Sequence, residues 1–118
     1  MTGSGARFFL TRQAAFDLRA IHAHSRRQWG DRVATRYIGN LYAAMKNAAA
    51  NPELGRPRRH RSAPFLMVPA QRHFIIYDTI PRGVAILTLQ HQTRDVETLI
   101  AELTPAFLTE VEKLKYDL

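Results

Sequence analysis

Two apolar runs separated by a turn constrain this chain more than any other feature: Arg72-His73-Phe74-Ile75-Ile76-Tyr77-Asp78-Thr79 and Val84-Ala85-Ile86-Leu87-Thr88-Leu89-Gln90-His91. Both are rich in β-branched, aromatic and leucyl residues. Between them Ile80-Pro81-Arg82-Gly83 is turn chemistry, because Pro fixes φ and Gly accepts a positive φ. The pattern predicts a β-hairpin. Neither run alternates cleanly between apolar and polar residues, so at least one face of the hairpin should lie under helices.

The residues before the hairpin supply that cover. Arg7-Phe8-Phe9-Leu10 reads as a short strand, with Thr11 placed to cap a helix from Arg12 to about Gln28. Ala14, Leu18 and Ile21 recur there at helical spacing, and Arg19, Arg26 and Arg27 fall outside the stripe. Trp29-Gly30-Asp31 breaks the helix. A second should run from Asp31 to Asn51, with Val33, Ala34, Tyr37, Ile38, Leu41, Ala44, Met45 and Ala48 as its stripe, until Asn51-Pro52 stops it. So short a connection makes the pair an antiparallel helical hairpin. Residues 53–64 read as a loop from their Pro and Gly content, Phe65 to Pro69 as a strand, Asp95 to Leu103 as a short helix, and Thr104-Pro105 as the cap and start of another. Its apolar side, Phe107, Leu108, Val111 and Leu114, should fold back on the domain or pair with another chain. The expected class is α+β, with the helical hairpin packed on a small, mainly antiparallel sheet in the order β-α-α-β-β-β and a C-terminal helical extension over about 95–118. Residues 1–118 read as one domain, with a core of about 7–96.

Charge narrows the partners. The net value is +7, but residues 1–61 hold twelve Lys/Arg against three Asp/Glu, whereas residues 62–118 hold five against seven. Fourteen of the seventeen basic residues are Arg, the side chain suited to bidentate contact with phosphate or carboxylate, so an acidic partner is expected. The densest cluster is Arg56, Arg58, Arg59, His60 and Arg61, with no apolar residue to carry it into a core. Such a cluster repels itself unless an anion is near. The absence of Cys fits a reducing cytoplasm, and no apolar run has the length of a signal peptide or membrane span, so a cytoplasmic protein that does not enter the membrane is expected. His22 and His24 point in different directions on a helix, and no other ligand stands at matching spacing, so neither a metal nor a cofactor is expected.

An ordered set of residues also carries a family resemblance. Leu10-Thr11 precedes Ala14 and Asp17-Leu18 to Ile21; then come Trp29-Gly30, Ala34, Tyr37, Leu41, Asn51-Pro52-Glu53-Leu54-Gly55, Arg72 to Tyr77, Ile86-Leu87 and His91-Gln92-Thr93-Arg94-Asp95. Over roughly residues 7–96 this resembles the RelE/ParE toxins of bacterial type II toxin–antitoxin systems, the ParE branch more than the RelE branch. His24-Ser25 departs from the aromatic–aliphatic pair common there, and residues 104–118 extend past the family's usual end.

The resemblance implies a toxin held inactive by a cognate ParD-like antitoxin whose extended segment wraps it. ParE-like members are generally taken to poison DNA gyrase, and RelE-like members cleave messenger RNA on the ribosome. A gyrase inhibitor needs a binding surface and no catalytic residue, for which Arg56, Arg58, Arg59, Arg61, Arg72, Arg82, His91 and Arg94 are the candidates, nucleic acid being reached through the target. A nuclease needs an acid, a base and cations around the scissile phosphate, for which Arg72, His73, Tyr77, His91 and Arg94 are the candidates. Only three Lys exist, none in the expected sheet, so gyrase inhibition is preferred and the endoribonuclease is the alternative. A basic nucleic-acid-binding or adaptor domain ranks third, since no zinc-ligand pattern, RNP-type motif or recognition helix is present. The plainer reading of His73 and Tyr77, which share a strand face, is packed core with the Tyr hydroxyl at its rim. Trp29 reads as packing at the turn between helices.

Overall fold

The computed structural model describes residues 7–60 and 63–116. Five strands form one sheet: β1 (Arg7–Leu10), β2 (Arg56–His60), β3 (Ala63–Ala70), β4 (His73–Ile80) and β5 (Gly83–His91), in the spatial order β1-β5-β4-β3-β2. β1 runs parallel to β5 and the other pairs are antiparallel. Helix α1 (Arg12–Ala50) lies on one face and helix α2 (Val96–Tyr116) on the other. The expected α+β architecture is therefore present, with one strand more than the sequence pattern shows.

That extra strand, β2, occupies the stretch read as a loop. Arg56 to His60 pairs with Met67 to Ala63 at the edge of the sheet. An edge strand needs no apolar alternation and tolerates both Pro57 and successive charges, which is why its composition looks like loop. A short 3₁₀ turn, Pro52–Leu54, leads into it.

The hairpin forms as expected, with both faces buried. Ile75, Tyr77, Val84, Ile86 and Leu89 pack under α1, while Ile76, Ile80, Ala85 and Leu87 pack under α2. The inward set on β5 changes from even to odd numbers because Ile86 pairs with Tyr77 and Thr88 with Ile76, leaving Leu87 as a bulge. Gly83 is required at the turn: its φ is +146°, and a Cβ there would lie 1.8 Å from the Arg7 carbonyl oxygen.

Helix α1 is bent into a hairpin at Gly30, whose φ of 86° and ψ of 172° leave the helical region. Leu18, His22, Thr35, Ile38 and Tyr42 line one groove between its two halves, which fixes them as antiparallel neighbours. Thr11 caps the helix by accepting the Ala14 amide at 3.1 Å while its hydroxyl donates to the Leu87 carbonyl at 2.8 Å. The cap thus uses a carbonyl at the bulge. β1 pairs with β5 only as far as Ile86. Beyond it Asp17, buried beneath α1, takes over: its carboxylate accepts the Leu89 amide at 3.1 Å, the Thr88 hydroxyl, and the Gln13 side chain at 2.8 Å.

Helix α2 is continuous where two helices were expected. Asp95 accepts from the Thr98 amide and hydroxyl at its start, and the helix runs through Pro105, which has no N–H for the Ala101 carbonyl. Val96, Ile100, Phe107 and Val111 are buried against the sheet, with Phe107 edge-on to Phe65 at 5.9 Å. The extension therefore folds back on its own sheet. Leu108, expected on the apolar side, is exposed, because it lies off the stripe that passes through residues 103, 107, 111 and 114.

Candidate functional site

A cleft of about 430 Å³ opens where the bend of α1 meets the end of the sheet that carries the β3–β4 turn. Its chemistry comes from His24 and Trp29 on α1 before the bend, Tyr37 after it, Arg72 in the turn, His73 at the start of β4 and His91 at the end of β5. His73 and His91, 18 positions apart in sequence, meet because they are direct cross-strand partners, their rings 5.3 Å apart and near perpendicular. Gln92 ties the corner together: its amide donates to the Arg72 carbonyl at 2.9 Å, and its side chain to the carbonyls of Gln71 and His73 at 3.2 Å each.

The hydrogen bonds determine how each ring is presented. The Tyr37 oxygen accepts the Arg72 amide at 3.0 Å and lies 2.6 Å from Nδ1 of His73, a bond to which the phenol proton is assigned. His73 is then neutral with its proton on Nε2. Its pKa is lowered to about 4, first by burial and then by the neighbouring His91 and His24. The Thr93 amide donates to Nδ1 of His91 at 3.2 Å, which leaves Nε2 to carry that ring's proton as well. Trp29, half exposed, has the Arg72 guanidinium 5.9 Å above its ring and His24 edge-on at 6.4 Å. The cleft lining contains no carboxylate and no lysine. Among the described residues no group of His, Asp or Glu side chains gathers so as to hold a metal ion.

The candidate residues fall at the two ends of the sheet, along its β2 edge and in its core. Arg72, His73 and His91 line the cleft, and exposed Arg94 follows β5, its amide on the His91 carbonyl at 2.9 Å. Arg82 lies at the opposite end, in the β4–β5 turn, its guanidinium 4.8 Å above the Phe9 ring. Arg56 is exposed on edge strand β2, which also holds Arg58 and Arg59 and runs toward the Arg82 end. Arg61 lies outside the described residues. Tyr77 is fully buried in the core, its hydroxyl donating 2.7 Å to the Pro52 carbonyl, so the phenol beside His73 is Tyr37. Tyr37 was legible only as part of a helical stripe, and Trp29 only as turn packing. No sequence spacing links either to His73.

A sequence model described as the ParE toxin of the type II toxin–antitoxin system parDE matches residues 8–96. The chain belongs to the ParE toxin family. It is 26% identical over 98 residues to Toxin ParE of Escherichia coli, covering 80% of this chain and 93% of that protein. The fold is shared with a structure from the chromosomal ParDE system of P. aeruginosa, at a TM-score of 0.63 and 18% identity, over 74% of this chain and 96% of that one. The ParE match contains α1, strands β2 to β5, all of β1 but Arg7, and every lining residue of the cleft, and it ends at Val96, the first residue of α2. Among the described residues of this ParE-family chain, no helix is long and apolar enough to cross a membrane.

Proposed function

We propose that this toxin inhibits DNA gyrase in the cytoplasm and is neutralised by a cognate ParD-like antitoxin. The observation that carries the reading is the ParE match across residues 8–96. The cleft chemistry supports it: a neutral His73 engaged with Tyr37, and no carboxylate or lysine in the lining, make a poor acid–base pair for cutting a phosphodiester. Basic residues at both ends of the sheet, Arg72, His91 and Arg94 at one and Arg82 at the other, with Arg56, Arg58 and Arg59 in the sequence of edge strand β2 between them, suit a surface that meets an acidic partner. The antitoxin segment would set carboxylates against such arginines and apolar residues against Phe16 and Tyr42, which α1 leaves exposed.

One arrangement favours a ribosome-dependent messenger RNA endonuclease as a second reading: Arg72, His73 and His91 share one cleft. Purified toxin is assayed for gyrase supercoiling and for messenger RNA cleavage on translating ribosomes. Inhibited supercoiling with intact RNA, unchanged by His91→Gln, is the expected result. RNA cleavage that falls roughly 10²–10⁴-fold in His91→Gln, with gyrase untouched, overturns it. Expression of the toxin alone should arrest bacterial growth, and co-expression of the antitoxin should restore it.

A further inference from the structure

The cleft has the makings of a receptor whatever macromolecule the toxin attacks. Its volume of about 430 Å³ falls within the roughly 300–1,000 Å³ of small-molecule sites. One side is cationic and donor-rich. Arg72 lies in the lining with no carboxylate beside it, the ion pair among the described residues being Arg26 with Asp31 on the outer part of α1. Both imidazoles have Nδ1 engaged, by Tyr37 and by Thr93, so on each ring Nε2–H is the donor left for a ligand. Neither Nε2 is sealed away, since among the described residues no buried side-chain nitrogen lacks a partner. The aromatic surface adjoins that side: Trp29, with the Arg72 guanidinium 5.9 Å over one side of its ring, is still 48% exposed.

A guanidinium and imidazole donors with no carboxylate in the lining select an anion, and an indole face beside them selects an anion attached to a planar ring. We propose that the cleft binds a phosphorylated nucleobase, its phosphate on Arg72 and the imidazole N–H groups of His73 and His91, its base against Trp29. Arg supplies a fork matched to phosphate oxygens, and base–aromatic stacking tolerates any base, so recognition is of the nucleotide unit rather than of sequence. A carboxylate-bearing peptide would use the donors and leave the indole idle; a nucleoside would do the reverse. The unit can come as a free mononucleotide or as one residue of a single strand. This goes beyond the toxin reading and holds whether the target is gyrase or the ribosome.

Trp29 is the chain's only tryptophan, which makes it the reporter of its own stacking. The full chain is titrated with AMP, adenosine, inorganic phosphate, an acidic peptide and a short single-stranded oligonucleotide, following Trp29 fluorescence and binding heat. Saturable quenching by AMP or the oligonucleotide is expected, with adenosine and phosphate each at least about tenfold weaker. AMP binding identifies the free nucleotide as a source; oligonucleotide binding without AMP binding identifies the strand. Arg72→Ala and, by binding heat, Trp29→Leu should each weaken binding about tenfold. Lys113→Ala, exposed on α2 and outside the cleft lining, should not change it. Circular dichroism and Tm confirm that each variant is folded, and Arg72→Lys, which keeps charge and loses the fork, should fall between wild type and Arg72→Ala. The proposal is overturned if neither AMP nor the oligonucleotide saturates by millimolar concentration, if folded Arg72→Ala and Trp29→Leu bind as wild type does, or if the acidic peptide binds more tightly than both nucleotides. No gyrase or ribosome is present, so this outcome is read separately from the supercoiling and cleavage assays.

Discussion

Asp17→Ala tests how the open edge of the central strand is held. In the wild type the Asp17 carboxylate accepts the Leu89 amide, the Thr88 hydroxyl and the Gln13 side chain, and Thr88 in turn accepts from Gln90 at 2.7 Å. Asp17, Thr88 and Gln90 are all buried, and β1 has already ended, so no strand can take the Leu89 amide instead. Truncation leaves two buried donors without an acceptor, each costing about 1–3 kcal/mol, while Gln13 reaches solvent and adds little. The expected loss is roughly 2–6 kcal/mol, a large share of a total stability of about 5–15 kcal/mol. Asp17→Asn keeps one oxygen for Leu89 and should cost less. Urea unfolding followed by circular dichroism measures the loss. A cycle with Thr88→Val should show coupling of about 1–2 kcal/mol, because removing the hydroxyl first spares part of the penalty. Amide exchange at Leu89 should quicken in Asp17→Ala. A loss under about 1 kcal/mol with Leu89 still protected would refute the reasoning, since another acceptor must then be serving that edge.

Other perturbations test the rest of the frame. His73 has its pKa lowered to about 4 against an ordinary 6.5, so its contribution to stability is fully present above pH 6.5 and is lost as pH falls toward 4. For this half-buried ring, discounted for solvent screening, the loss is about 1–2 kcal/mol, and a urea series between pH 7 and pH 4 should flatten in His73→Gln. Phe107→Ala empties the centre of the cluster under α2 and should cost about 3–5 kcal/mol by denaturant unfolding; no change would mean that α2 does not hold the second face. Gly83→Ala combines a strained φ with a Cβ driven into the Arg7 carbonyl, so a loss of at least about 1–3 kcal/mol is expected, with amide protection lost first where β1 meets β5.

The fold was legible where one local signal carried enough information to act alone. Gly30 bends α1 where the Trp29-Gly30-Asp31 break predicts it, Thr11 caps where a hydroxyl precedes the helical stripe, and Pro81-Arg82-Gly83 turns the hairpin. Two elements escaped because their local signals point the wrong way. Edge strand β2 is held by backbone pairing to β3, and nothing in Arg56 to His60 advertises a strand. Pro105 marks a helix start by local rules, yet burial of Ile100, Phe107 and Val111 on one face keeps α2 continuous through it.

The cleft was legible in part, for a reason that follows from the sheet. Arg72, His73 and His91 stand at strand ends, where a hairpin register brings them together, so strand reading alone finds them. Tyr37, Trp29 and His24 come from the two sides of the α1 bend, and their approach depends on how the helical hairpin is seated on the sheet. That seating is set by contacts far from the cleft: Thr11 on Leu87, Asp17 on Leu89 and Thr88, and the stripe from Leu41 to Ala48 over Ile75 and Val84. Of the residues that carry the resemblance, Leu10-Thr11, Asp17-Leu18 and Ile86-Leu87 fix this seating, while Trp29, Tyr37, Arg72, His73 and His91 line the cleft. Family membership therefore fixes the frame in which Tyr37 meets His73, and the identity of the ligand has to be read from Arg72, Trp29 and the imidazoles themselves.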